Sequence, residues 1–451
     1  MAEKPTLLKN AVIVNEGSSR KGSIMIKGDR IASIHPGTLP DDFSEDNLEV
    51  MDLDGLMVLP GLIDDQVHFR EPGLTDKADI LSESRAALAG GITSYMEMPN
   101  TVPQTTTLTH LEEKHKLAQE RSMANYSFYM GATNDNLKEL KAINPAEVCG
   151  VKVFMGSSTG NMLVDDNASL EAIFKQVKSL IAVHCEDETT IQANLAAARK
   201  VFGDGIPMFM HALIRSNEAC ERSSRRAMEL AEKHDARLHL LHLSTQDEIR
   251  LLTNTQALAD KHITAEACVH HLWFNIDDYA AKGSLIKWNP SVKYESDRKA
   301  LIDAVMNGYI DVIATDHAPH TLEEKQKAYV NCPSGAPMVQ HALPAMLTLA
   351  EKNDIPVERV VELMCHNPAI LFRVKNRGFI REGYHADLVV IDPDGKTLPE
   401  KDNILYKCQW SPLEGATLKS RIMHTFVNGR LVYDKGSFCE EFRGKALEFH
   451  A

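Results

Sequence analysis

The sequence predicts a (β/α)8 TIM barrel with a small composite β-sandwich domain built from both chain ends. Three observations carry this. Between residues 58 and 378, short apolar or β-branched runs alternate with helical patterns eight times. Polar residues of ligand type recur at the C-terminal ends of those runs, which is the functional face of such barrels. Turn-rich strand patterns without obvious chemistry flank the eight units, at 1–57 and 379–451.

The elements follow in order. Ala11–Val14, Gly22–Ile26 and Ile31–Ile34 read as strands, with Gly28-Asp29 as a tight hairpin turn. The barrel runs are Leu62–Val67, Thr93–Met98, Asn125–Met130, Val151–Met155, Leu180–Val183, Leu238–Leu243, Ile263–Cys268 and Val312–Ala314. Between them Ile80–Ala89, Leu108–Ala118, Leu170–Val177, Glu218–His234 and Arg298–Asn307 show the 3.6-residue period of amphipathic helices. Ser216 is placed to cap the fourth of these. After Phe379 strand patterns return, and Asn428-Gly429 signals a hairpin.

Bulk properties narrow the function. A chain of 451 residues with 43% hydrophobic and 25% charged residues is ordinary globular material. Its net charge of −14 argues against nucleic acid and against an anionic membrane surface as partners, and an anionic small-molecule substrate then needs local Arg, Lys, His or metal to outweigh the global field. No run approaches the roughly 18 apolar residues of a membrane span, and the first ten residues lack the apolar core of a signal peptide. The eight cysteines are scattered without a C-x-x-C pair, so reduced thiols and a cytoplasmic location are expected.

The candidate site begins at Leu59–Gly73. Strict strand alternation would put Asp64, Gln66, His68 and Arg70 on one face, with Asp65, Val67 and Phe69 opposite. His68, His184, His242 and Asp316 each sit at a strand end, where three imidazoles and a carboxylate converge as a metal set. Lys152 stands in the apolar strand V-K-V-F-M. It is either paired with a carboxylate or converted by carbon dioxide to an anionic carbamate that can bridge two metals. Arg70 and Asn100 read as substrate holders, the guanidinium matching a carboxylate; the alternative for Arg70 is an ion pair with Glu71 or Glu97. His320 could add a donor. His270 and His271 cannot both point inward, and one of them is a candidate for supporting the ligands from behind. Residues 320–338 read as a loop over the site.

The motifs H-F-R-E-P-G, M-E-M-P-N-T, V-K-V-F-M-G, V-H-C-E, L-H-L-S-T, K-W-N-P and A-T-D-H-A-P-H, in this order, resemble the amidohydrolase superfamily and within it the dihydroorotase group. The resemblance implies interconversion of N-carbamoyl-L-aspartate and (S)-dihydroorotate in pyrimidine biosynthesis, with one or two zinc ions at the barrel mouth. It implies His68 and Asp316 as ligands of one metal, His184 and His242 of the other, and a carboxylated Lys152 between them. Asp316 becomes the proton-transferring residue. Arg70, Asn100 and His320 hold the substrate carboxylate, with Asn289 and the backbone at Gly335 as further contacts. A homodimer, and association with aspartate transcarbamoylase, follow from the same likeness. The chain departs from the pattern at Gln66, where the group has its first metal-binding His. It departs again at N-P-S-V-K, at Gln340, and in lacking an aromatic before Gly335. Two other readings stay open: a catalytically inactive transcarbamoylase partner, and a hydantoinase- or allantoinase-type cyclic amidase.

Overall fold

A computed structural model describes residues 4–40, 42–156 and 162–450. The amino-terminal residues 1–3 used in the signal-peptide reading lie outside it.

The eight anticipated runs form the barrel strands. Six line up in parallel, from Met130–Gly131 through Val151–Phe154, Ile181–His184, Leu238–Leu240 and Ile263–Cys268 to Val312–Ala314. Leu62–Val67, Ile92–Glu97 and Asn125–Phe128 form a second parallel sheet. The two sheets meet in the third run, which is split at Tyr129. They meet again where Val67 bridges His317 and the His68 amide donates to the His317 carbonyl at 2.7 Å. Barrel strands are buried on both faces, which is why they read as near-continuous apolar runs.

The helices also fall where the period put them. Asn217–His234 starts at Ser216, whose hydroxyl accepts from the Ala219 amide, and Ile80–Ala89 starts at Asp79 in a reciprocal capping box. Glu188–Phe202 and Ala342–Lys352 were not anticipated. The first buries only Ile191 and Ala198, and the second is apolar nearly all round.

Both chain ends join one nine-stranded sheet. At its centre Met57–Pro60 pairs parallel with Thr6–Asn15 and antiparallel with Leu388–Thr397. Leu8, Ile24, Val58, Leu388, Val390 and Phe426 fill its core, so neither end can bury its apolar face without the other. The hairpin at Asn428-Gly429 has both residues at positive φ, 49° and 79°, as a type I′ turn requires. The chain then returns to the barrel, where Leu447 and Phe449 pack with Met96, Tyr129 and Phe372.

Candidate active site

Strict alternation fails in the first strand, and this shapes the site. Its pairing with Ile92–Glu97 is irregular between Asp64 and Val67. Asp65, expected on the face away from Gln66, instead reaches His239 across the barrel at 3.1 Å. Asp64 accepts from the Thr315 hydroxyl at 2.6 Å, tying the first strand to the eighth. The strand ends at Val67, so His68 and Arg70 lie in the following turn. That turn is held by Glu97, whose carboxylate accepts from the Phe69 amide at 3.1 Å. Lys114, fully buried, pairs with the same carboxylate at 3.1 Å. Lys114→Met is expected to cost about 3–5 kcal/mol in urea unfolding, because it leaves the Glu97 charge buried without its partner. An unchanged midpoint and slope would refute this.

All ten sequence-predicted residues border one cavity of about 350 Å³. His68 Nδ1 lies 2.7 Å from the Asn100 amide oxygen, so Nδ1–H donates and Nε2 faces Asp316 Oδ1 at 3.2 Å. His184 Nε2–H donates to Glu186 at 2.8 Å, which leaves its Nδ1 bare, 3.0 Å from His242 Nε2. His242 Nδ1 is buried without a hydrogen-bond partner. Lys152 is 1% exposed, its ammonium 4.7 Å from the centre of the Phe154 ring. Burial pulls its pKa down to about 8, partly offset by Asp316 and Glu266.

Glu186, at the end of the fifth run, is a residue to which the sequence pattern assigns no role. Burial opposes its charge, yet Arg215 and His184 hold its carboxyl well below the ordinary range. Arg215 Nε donates to it at 2.9 Å. The H-x-E spacing in V-H-C-E could have signalled this carboxylate; nothing local signalled Arg215, 29 residues on.

The other side of the cavity gathers Arg70, His320 and Asn289. Arg70 takes neither carboxylate proposed for it, since Glu71 forms an ion pair with Arg121 and Glu97 pairs with Lys114. Its Nε donates to the Pro319 carbonyl at 3.0 Å, and its terminal nitrogen stands 3.1 Å from His320 Nε2. Burial lowers Arg70 only to about 10, so it stays cationic at neutral pH. Burial and the neighbouring Arg70 push His320 down to about 3, so it is neutral. Asn289 Oδ1 is buried without a partner among the described residues, an acceptor available to a ligand. At Gly335 (φ 125°) a Cβ would meet the Ala318 carbonyl at 2.4 Å, so only glycine fits. Its amide donates to Lys287 and its carbonyl accepts from Lys325, which pins the loop over the cavity. His270 stacks on Trp288 and His271 hydrogen-bonds the Pro290 carbonyl, so both brace this wall.

The donor set fits a metal. Two imidazole nitrogens facing each other, one backed by a carboxylate, and a third imidazole oriented by an amide onto a carboxylate are metal-site chemistry. Arg70, His242 and Asp316 all adopt left-handed backbone angles, with φ of 70°, 42° and 43°. Such strain gathers where a site is preorganised. Gln66 fits less well: its amide nitrogen lies 3.3 Å from Asp316 Oδ1 and its oxygen faces the Cys268 thiol at 3.8 Å.

Comparison with known proteins bears on the family and the fold. The sequence profile of the amidohydrolase family matches residues 57–432. A dihydroorotase of Methanosarcina acetivorans is 32% identical, covering 98% of this chain and 95% of its own. An allantoinase of Bacillus velezensis is 30% identical, covering 95% and 94%. Among solved structures, an L-hydantoinase (dihydropyrimidinase) of Arthrobacter aurescens superposes with a TM-score of 0.90 at 29% identity, over 96% of this chain and 97% of that one. The chain belongs to the amidohydrolase family.

Proposed function

We propose that this chain is a metal-dependent dihydroorotase, interconverting N-carbamoyl-L-aspartate and (S)-dihydroorotate in cytoplasmic pyrimidine biosynthesis. One observation carries the reading. A cationic Arg70, with neutral His320 against it, shares a cavity with the imidazole and carboxylate cluster of metal type. That arrangement fits a cyclic amide bearing its own carboxylate, which an unsubstituted hydantoin lacks. The dihydroorotases of Methanosarcina and other organisms support the reading. The eight free thiols suit a reducing compartment.

His68, His184, His242, Asp316 and a carboxylated Lys152 would hold zinc, as one ion or two. The metal would supply an activated water and polarise the scissile carbonyl. Arg70 grips the ring carboxylate and fixes its orientation. Asn289 accepts from a ring N–H. Asp316 takes the proton of the attacking water and returns it to the leaving nitrogen; ring closure reverses the roles. Asn100 keeps His68 in the tautomer that faces Asp316.

The test is ring opening of dihydroorotate, hydantoin and allantoin by the zinc-reconstituted protein at mildly alkaline pH. Chelator-sensitive turnover selective for dihydroorotate is expected, and preference for either other ring would overturn the substrate assignment. Arg70→Lys is expected to lower kcat/KM for dihydroorotate roughly 10- to 100-fold, mostly through KM, because a charge-assisted pair contributes about 1.5–3 kcal/mol. An unchanged KM would remove Arg70 from the carboxylate site. Gln66 favours a second reading, in which the loss of an imidazole has made the chain an inactive partner of aspartate transcarbamoylase. Absence of turnover at every metal loading, with co-purification of a transcarbamoylase, would select it.

A further inference from the structure

Below the mouth lies a cluster that the proposed reaction does not use. Asp65, His239 and Glu266, from the first, sixth and seventh barrel strands, are each fully buried. One ligand-type atom from each lies within 4.8 Å of the other two. We propose that these three side chains form a second, deeper divalent-cation site, which takes a zinc-like ion independently of the mouth.

The tautomer of His239 is the first support. The Thr264 hydroxyl donates to the Leu238 carbonyl at 3.2 Å and therefore accepts from His239 Nδ1, 2.9 Å away. Nδ1 thus carries the proton, and Nε2 points at the two carboxylates. A bare nitrogen facing two anions is repulsive unless a proton or a metal lies between them.

A single proton leaves the cluster incomplete. It would satisfy Asp65 Oδ2 at 3.1 Å, while Glu266 Oε2 lies 3.6 Å from Nε2. Asp65 Oδ1 and Glu266 Oε2 have no hydrogen-bond partner, although both are buried. An imidazolium between two carboxylates also leaves a net negative charge in the barrel interior, which is costly without compensation. A divalent ion bound through Asp65 Oδ2 and Glu266 Oε2 brings that charge to zero and satisfies the bare Glu266 oxygen.

The spacing suits this ion. Tetrahedral zinc with nitrogen and oxygen ligands at about 2.0–2.1 Å sets those ligands roughly 3.3–3.4 Å apart. The two separations from His239 Nε2, 3.1 and 3.6 Å, bracket that value, and all three ligand atoms lie within 4.8 Å of one another. One imidazole and two carboxylates leave a fourth position for water. Thr264, bonded to Nδ1, plays the part that a backing group plays for a metal-bound histidine. The same field draws positive charge in the metal-free state. Although burial opposes it, Asp65 and Glu266 push the His239 imidazole up to about 9.

The site would also bear on the mouth. The other oxygen of Glu266 accepts from the His242 amide at 2.9 Å and faces the Cys268 thiol at 3.3 Å. An ion fixing Glu266 therefore fixes the left-handed turn that presents His242.

Anomalous diffraction at the zinc edge, on crystals of the full chain equilibrated with zinc, tests the proposal. A peak within about 2.3 Å of Asp65 Oδ2, His239 Nε2 and Glu266 Oε2 is expected, allowing for bonds of roughly 2.0–2.2 Å. No peak there, whatever the mouth contains, overturns it. In solution, His239→Gln and Asp65→Asn should each lose one zinc equivalent relative to the unaltered protein in a chelator-dye titration. Unchanged stoichiometry overturns the proposal as well. If either variant fails to fold, the diffraction result on the unaltered protein decides.

Discussion

Asp316→Asn is expected to lower dihydroorotate turnover by about 10²–10⁴-fold, the range general acid–base catalysis supplies. The reason is that no other carboxylate among the described residues can take over. Glu186 is locked by Arg215 and His184, Asp64 is bonded to the Thr315 hydroxyl, and Glu266 is committed to the His242 amide. Asp316 alone lies between the His68 imidazole and the Gln66 amide, at 3.2 and 3.3 Å. Asparagine keeps the shape and can still accept from Gln66, but it cannot hold a proton in transit. It also tolerates the left-handed angle of this position, φ 43°. The fold should therefore survive, and circular dichroism with thermal melting checks that. Turnover within threefold of the unaltered protein would remove Asp316 from proton transfer and sink the mechanism.

The framework of this site was legible because it obeys two periods. The eight strand runs and the capped helices follow from apolar spacing and from caps such as Ser216. The metal-type residues were legible because they cluster at strand ends. What escaped the reading depends on broken periods. His239 and His242 are three residues apart, so a regular strand would turn one of them away from the interior. The left-handed turn at His242 brings both in. The register irregularity after Asp64 does the same for Asp65 and Gln66. No alternation rule anticipates a bulge, and the Asp65–His239–Glu266 cluster depends on the break after Asp64. Arg215 escaped for another reason: it follows a five-residue helix in a connection with no period of its own, and only the fold brings it to Glu186.

Lys152→Met separates the two readings of the buried lysine by giving stability and activity opposite signs. If Lys152 were a structural ammonium, its replacement would leave catalysis in place. If it is a carbamate bridging the metals, metal affinity should fall at least as far as the roughly 100-fold that loss of a single outer-shell partner can cost. Ring opening should then be lost with it. Methionine is unbranched and apolar, and the strand around it is Val151, Val153 and Phe154, all buried. Removing a buried charge from such surroundings is neutral or stabilising, so the melting temperature of the metal-free variant should hold or rise. The lowered pKa, about 8, supplies the chemistry: at mildly alkaline pH a large fraction of the amine is neutral and able to attack carbon dioxide. Protein prepared with 13C-bicarbonate and zinc should show a carbamate carbon by NMR that the methionine variant lacks. A variant that keeps full metal content and turnover would show that the bridge is not made at Lys152. The two metal-type pairs, His68 with Asp316 and His184 with His242, would then have to work without a shared anion.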